Sequence, residues 1–266
     1  MECSFSGILL SVRFVKPILI VGSLCAAAML LLAQHTPPSA TPTPQTAAPP
    51  VAQAPATRQT LNVVVLDPGH GGTDSGARGG SGIVEKEVTM SLARAVQAQL
   101  ELQGFQVVLT RQPDEGPTLD ERAATANAQR GAVFISLHVS SIGAVGTAMA
   151  FYMPAAPTSE TKPGPETSGR PLVRWQEAQQ AYAAQSRKLA ELIQIQLGQK
   201  LRGSAEVPQA VAVRQLRSVM LPAVAVELSS VAAADRKPLD QATPALAEAV
   251  ARAVAAFKAA YEAGAI

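Results

Sequence analysis

Leu61-Asn62-Val63-Val64-Val65-Leu66-Asp67-Pro68-Gly69-His70-Gly71-Gly72 is the stretch from which the fold of this chain is read. Asn62 to Leu66 is a short apolar run of the kind that forms a buried strand. A glycine-rich loop, Gly69 to Gly82, comes directly after it. A histidine therefore stands at the exit of a strand, in a turn built from glycine.

Outward from this stretch, strand and helix patterns alternate. Glu85 to Gln103 has helical spacing, with Val88, Leu92, Ala95, Val96, Ala98 and Leu102 expected to face inward and Gly104 as the stop. Gln106 to Thr110 reads as strand and Leu119 to Arg130 as helix, closed by Gly131. Val133 to His138 and Thr147 to Met153 read as strands. Pro154 to Pro171 is a polar, proline-containing insert, expected to be a surface loop. Arg174 to Leu201 reads as one long amphipathic helix, Gln209 to Arg214 and Ala223 to Leu228 as strands, and Ala245 to Tyr261 as a final helix. Such alternation predicts an α/β fold: a single domain over 61–266 with a mostly parallel, twisted sheet of about six strands flanked by helices.

The N-terminal part has a different character. Arg13 and Lys16 precede an apolar run from Pro17 to Ala33, the layout of an export signal. The run is long for a signal-peptide core and short for a bilayer span, so residues 1–35 read as either a cleaved signal or an uncleaved anchor through residues 17–33. Leu31 and Ala33 make a mediocre cleavage site, and Cys25 comes after Leu24, which argues against a lipoprotein cysteine. The basic flank stays in the cytoplasm, and the chain beyond the apolar run is exported, to the periplasm or cell envelope. Residues 36–60 are rich in Pro, Ala and Thr with almost no charge, which predicts a linker without stable structure.

Composition narrows the function. Of 266 residues, 47% are hydrophobic and 16% charged, which supports a packed core. A net charge of +2 with scattered basic residues excludes an electrostatic nucleic-acid binder. The two cysteines, Cys3 and Cys25, lie before the folded region, so neither a disulfide framework nor a cysteine-ligated zinc site is available to it.

Of the three histidines, His35 is in the linker, whereas His70 and His138 are each placed at or just after the end of a strand. In open α/β sheets ligands gather at the carboxyl ends of strands. Either histidine alone reads as a satisfied polar residue. Together they can converge, and two imidazoles with a carboxylate make a common catalytic zinc set with a fourth position left for water.

The motifs around them carry a resemblance. Asp67-Pro68-Gly69-His70-Gly71-Gly72, then Gly82-Ile83-Val84-Glu85-Lys86, then Ser136-Leu137-His138, then Leu221-Pro222-Ala223-Val224-Ala225-Val226-Glu227-Leu228 resemble, in this order, the zinc-dependent type 3 family of N-acetylmuramoyl-L-alanine amidases. Thr110-Arg111, Leu119-Asp120-Glu121-Arg122 and Ala126-Asn127 fit the same pattern, and the resemblance runs from about Leu61 to Tyr261. It implies His70, Glu85 and His138 as ligands of one Zn2+, Glu227 as the catalytic glutamate, and peptidoglycan as substrate. A carboxylate in the apolar stretch Ala223 to Leu228 needs a partner, and the alternative to a catalytic role is a salt bridge to arginine.

Other residues carry weaker signals. Asp67 is expected to bond the glycine loop or to orient His70. Glu87 reads as a solvated acid, and Arg214 and Arg217 as either binders of a substrate carboxylate or surface charges. The chain departs from the family after His138, where Val139-Ser140-Ser141 replaces a small residue and Asn. It departs again after Glu227, where Leu228-Ser229-Ser230 stands. These departures keep open an inactive relative that binds peptidoglycan without cutting it, and a zinc peptidase acting on another amide is the third reading. No wall-binding repeat is visible, so targeting falls to the catalytic domain, the N-terminal anchor or an activator protein of unknown identity.

Overall fold

The computed structural model describes residues 60–155 and 174–266, all within one compact unit. The segment 1–35 expected to direct export and the expected linker 36–60 lie outside the described residues, apart from Thr60, as do residues 156–173, which take in most of the expected insert. Among the described residues, no helix is long and apolar enough to cross a membrane.

Six strands form one sheet: β1 (Val63–Pro68), β2 (Gln106–Leu109), β3 (Ala132–Ser140), β4 (Ala148–Tyr152), β5 (Gln209–Ala210) and β6 (Ala223–Ser229). Their order is β2-β1-β3-β6-β4-β5. The first four are mutually parallel, while β4 runs antiparallel to β6 and β5 parallel to β4. The expected mostly parallel α/β sheet is therefore present, with its reversed strands at one edge.

Alternation along each strand sorts residues between two faces. One face carries Val64, Leu66, Ile135, Leu137, Val224, Val226 and Leu228 into the main core. Two helices pack on it, α1 (Glu85–Leu102) and α3 (Ala183–Lys200), and α4 (Lys237–Glu262) packs against both of them in the same core. The other face packs Val65, Phe134 and Ala223 against Ala123 and Ala126 of α2 (Leu119–Asn127) and against Leu216 and Val219. Towards the carboxyl ends this second face turns polar: Val65 gives way to Asp67, Phe134 to Ser136 and His138, and Ala223 to Glu227. That change of character sets the carboxyl ends of β1, β3 and β6 apart from the rest of this face.

Several expectations are corrected. The buried stripe of α1 is Val88, Leu92, Ala93, Val96 and Leu100, whereas Ala98 is exposed and Leu102 is 80% exposed. The period of 3.6 keeps residues 88, 92, 96 and 100 on one face and carries 98 and 102 away from it. The helix expected over Arg174–Leu201 begins as a 3-10 helix, Trp175–Tyr182, before α3. Helix α4 starts at Lys237, with Pro238 in its first turn, where the missing N–H costs nothing, and it continues through Pro244. The strand expected over Gln209–Arg214 is only two residues long, and Arg214–Leu216 forms a 3-10 turn that buries Leu216. His138 lies inside β3, two residues before its end.

Candidate metal centre

At the exit of β1 the backbone turns through His70, whose φ of 61° is uncommon for a residue with a side chain. Two buried arginines hold this turn by its carbonyls. Arg111 donates from Nε to Pro68 O (2.8 Å) and from Nη2 to Gly69 O (3.0 Å). Arg122, on α2, donates to Pro68 O (2.9 Å) and to His70 O (2.7 Å), and pairs with Asp67 Oδ1 at 2.7 Å. Asp67 also accepts from Thr110 Oγ1 (2.6 Å) and Ser136 Oγ (2.9 Å). Asp67 thus supports the loop through Arg122 and does not contact the His70 ring. The ring's partner is Asp74, whose Oδ2 is 2.9 Å from Nδ1. Asp74 is in turn held by the Gly76 amide at 3.0 Å, which sets its carboxyl below the usual range.

Glu85 is the first residue of α1, where a carboxylate also meets the positive end of the helix. It is only 4% exposed. Its Oε2 accepts from the Ala77 amide (2.8 Å) and lies 3.0 Å from His70 Nε2. Its Oε1 accepts from the Val139 amide (2.9 Å) and lies 3.0 Å from His138 Nδ1. Burial pushes this carboxyl up, but the bonds to His138, His70, Ala77 and Val139 outweigh it and hold the group well below its ordinary value. Hydrogen bonds to a charged group contribute roughly 1.5–3 kcal/mol each, so four of them offset a desolvation cost of several kcal/mol. The hydrogen bond with Glu85 raises the His70 pKa against the effect of burial, and Asp74 adds to the rise.

One donor atom from each of His70, Glu85 and His138 lies within 4.8 Å of the others, an arrangement that could hold a metal ion. The imidazoles meet edge-on, with centroids 5.1 Å apart and planes at 86°. Glycine makes the approach feasible. A Cβ on Gly76 (φ +64°) would stand 2.5 Å from His70 Cδ2 and 2.6 Å from Glu85 Oε2, and one on Gly69 would collide with the His138 ring. Two imidazoles and a carboxylate suit Zn2+, and the residues present fit it. The centre opens into a cleft of ≈ 110 Å³ that Pro117, Leu119 and Gln215 help to line. A larger cavity of ≈ 370 Å³ lies at the opposite, amino ends of the strands, near Leu61, Gly131 and Pro222, far from this donor set.

Glu227 pairs in register with His138, so the two side chains share the second face of the sheet. It is half-buried, and among the described residues it forms no ion pair with an arginine or lysine. Glu87, Arg214 and Arg217 are exposed. Between the two arginines, Gln215 turns into the cleft and places Nε2 3.2 Å from His138 Nε2. Sequence reading passed over both Asp74 and Gln215. The spacing of Asp74 from His70, four residues across a glycine turn, is the one local signal it offered.

The family model described as N-acetylmuramoyl-L-alanine amidase matches residues 64–256. The chain belongs to this family. An amidase AmiC of Neisseria meningitidis is 34% identical over 155 residues, 51% of this chain and 37% of the relative. The amidase LytC of Bacillus subtilis is 31% identical over 180 residues, 67% of this chain and 32% of the relative. This amidase-family chain thus aligns with only about a third of the length of those relatives. Among solved structures, the amidase AmiC2 of Nostoc punctiforme is similar with a TM-score of 0.55 and 26% identity, covering 74% of this chain and 97% of that one.

The departures of this amidase-family chain from the usual motifs have a structural reading. Val139 serves the site through its backbone amide to Glu85, which nearly any residue supplies, while its side chain enters the main core. Ser140 accepts at its carbonyl from Val231 N, which ties the ends of β3 and β6 together.

Proposed function

We propose that residues 61–266 are the catalytic domain of an exported, zinc-dependent N-acetylmuramoyl-L-alanine amidase. The substrate is peptidoglycan, and the bond cut joins N-acetylmuramic acid to the L-alanine of the stem peptide. Residues 1–35 act as signal or anchor and 36–60 as a linker. The observation that carries this reading is the cluster of His70, Glu85 and His138, with Glu227 in register beside it.

His70, Glu85 and His138 hold the Zn2+, and Asp74 fixes the His70 ring from behind. Zn2+ bound there supplies Lewis acidity, polarising the scissile carbonyl and lowering the pKa of water. Glu227 takes a proton from the water that attacks the carbonyl carbon. As the C–N bond breaks, it gives that proton to the leaving amine of L-alanine. Arg111 and Arg122 keep the His70 turn rigid, so the ligand geometry survives substrate entry.

Incubation of the purified chain with purified sacculi, with and without a chelator, tests this. Mass analysis should show intact stem peptides beginning at L-alanine, released only when metal is present. Binding without release would establish a wall-binding relative, and cleavage elsewhere in the stem would establish a zinc peptidase.

A further inference from the structure

We infer that Gln215 is a positioning residue for the metal centre: it holds the Nε2 edge of His138 and thereby presents Nδ1, beside Glu85, as the ligating nitrogen. The inference rests on the metal reading of the cluster.

His138 has partners on both edges. Its Nδ1 is 3.0 Å from Glu85 Oε1, and its Nε2 is 3.2 Å from the Gln215 amide. A neutral imidazole has one N–H and one lone pair, so its two partners must differ in kind. Without metal, Nδ1–H donates to the Glu85 carboxylate, which can only accept. The Nε2 lone pair then needs a donor, and the Gln215 NH2 group supplies it.

Loading reverses the requirement. A nitrogen that binds a cation must offer its lone pair, so Nδ1 gives up its proton and Nε2 carries the ring's N–H. That N–H needs an acceptor. Gln215 provides one after a half-turn of its amide, because the carbonyl and NH2 ends are nearly the same in shape. One uncharged side chain therefore meets the ring in both states, and its bond is the stronger in the loaded one, where the cation polarises the N–H that it accepts. A leucine serves neither, and a carboxylate only the loaded one.

The fold makes Gln215 dependable in this place. It lies in the 3-10 turn Arg214–Leu216, whose Leu216 is fully buried. The adjoining segment is clamped to α2 through Asn127, whose Nδ2 donates to Ser218 O (2.8 Å) and whose Oδ1 accepts from Met220 N (2.6 Å). His70 has the corresponding support in Asp74. Each imidazole of the cluster is then held on the edge turned away from Glu85, one by a carboxylate and one by an amide. Such outer partners orient metal-ligating histidines and raise their affinity.

The test uses the full chain with zinc alone as probe, in wild type, Gln215→Leu and Gln215→Glu. Zinc affinity is read by competition with a chromophoric chelator, and the His138 ring by 15N NMR of the loaded protein. Gln215→Leu should bind zinc roughly 10–100-fold more weakly, the usual effect of losing an outer partner. Gln215→Glu, which keeps an acceptor for the loaded ring and offers no donor to the metal-free one, should bind zinc at least as tightly as wild type. The loaded wild type should show His138 bound through Nδ1 with its proton on Nε2. Equal zinc affinity in wild type and Gln215→Leu overturns the inference, as does ligation through Nε2. The NMR result on wild type decides even if Gln215→Leu does not fold. A wild-type chain that binds no zinc at all overturns the metal reading itself, and the inference with it.

Discussion

His138 and Glu227 stand opposite one another in the parallel pairing of β3 with β6, so a ligand candidate and a base candidate project side by side from one face of the sheet. Glu227→Gln keeps the shape and removes the proton acceptor. Turnover on sacculi should fall by roughly 10²–10⁴-fold, the usual size of general acid–base assistance, while zinc content and melting temperature hold. If Glu227 were structural, the melting temperature would drop and the rate per folded molecule would stay.

Asp74 is two-thirds exposed, yet it holds the Nδ1 edge of His70 at 2.9 Å. Asp74→Ala should weaken zinc binding by roughly 10–100-fold with little change in urea midpoint, because so exposed a side chain contributes little to packing. Chelator competition and urea unfolding on one preparation separate the two effects. Unchanged zinc affinity would remove Asp74 from the site.

Arg122 is the buried partner of Asp67 and also holds the Pro68 and His70 carbonyls. Arg122→Leu leaves Asp67 as a buried charge without its counter-ion. The expected loss is about 3–5 kcal/mol in urea unfolding of the metal-free protein. Asp67→Asn in the same background should recover part of it, and a purely additive double mutant would show that the two do not act as a pair.

Glu121 closes a capping box at the start of α2. Its carboxylate accepts from the Thr118 amide (2.7 Å), and Thr118 Oγ1 accepts from the Glu121 amide (3.3 Å). The Thr118 amide holds the Glu121 carboxyl below its ordinary value of 4.5. A depressed carboxyl stabilises the folded state above that ordinary value and loses its contribution as pH falls through the folded one. The urea-midpoint advantage of wild type over Glu121→Ala should therefore be full near neutrality and shrink in acid. An advantage independent of pH would show that the carboxylate is not the source.

The Leu61–Gly72 stretch by itself determined a strand that runs into a glycine turn carrying His70, because apolar patterning and glycine are local signals. The helix from Glu85 and the strands bearing His138 and Glu227 were legible for the same reason, as was the parallel α/β sheet implied by their alternation. Boundaries were less so. Leu102 reads as core by residue type, but the turn of the helix puts it in water and buries Leu100. The support of the centre was decided by tertiary structure alone. Glu85 takes its bonds from Ala77, His70, His138 and Val139, of which the last two lie 53 and 54 residues away in sequence. Asp67 meets Arg122 and not His70 because α2 packs against the face to which the pleat turns it. Gln215 reaches His138 because β5 ends after two residues and the chain turns inward, where a longer strand would have run along the sheet edge. Sequence spacing encodes which face of its own element a residue occupies. Which face of another element meets it depends on strand order and register, and those are fixed only when the whole core closes.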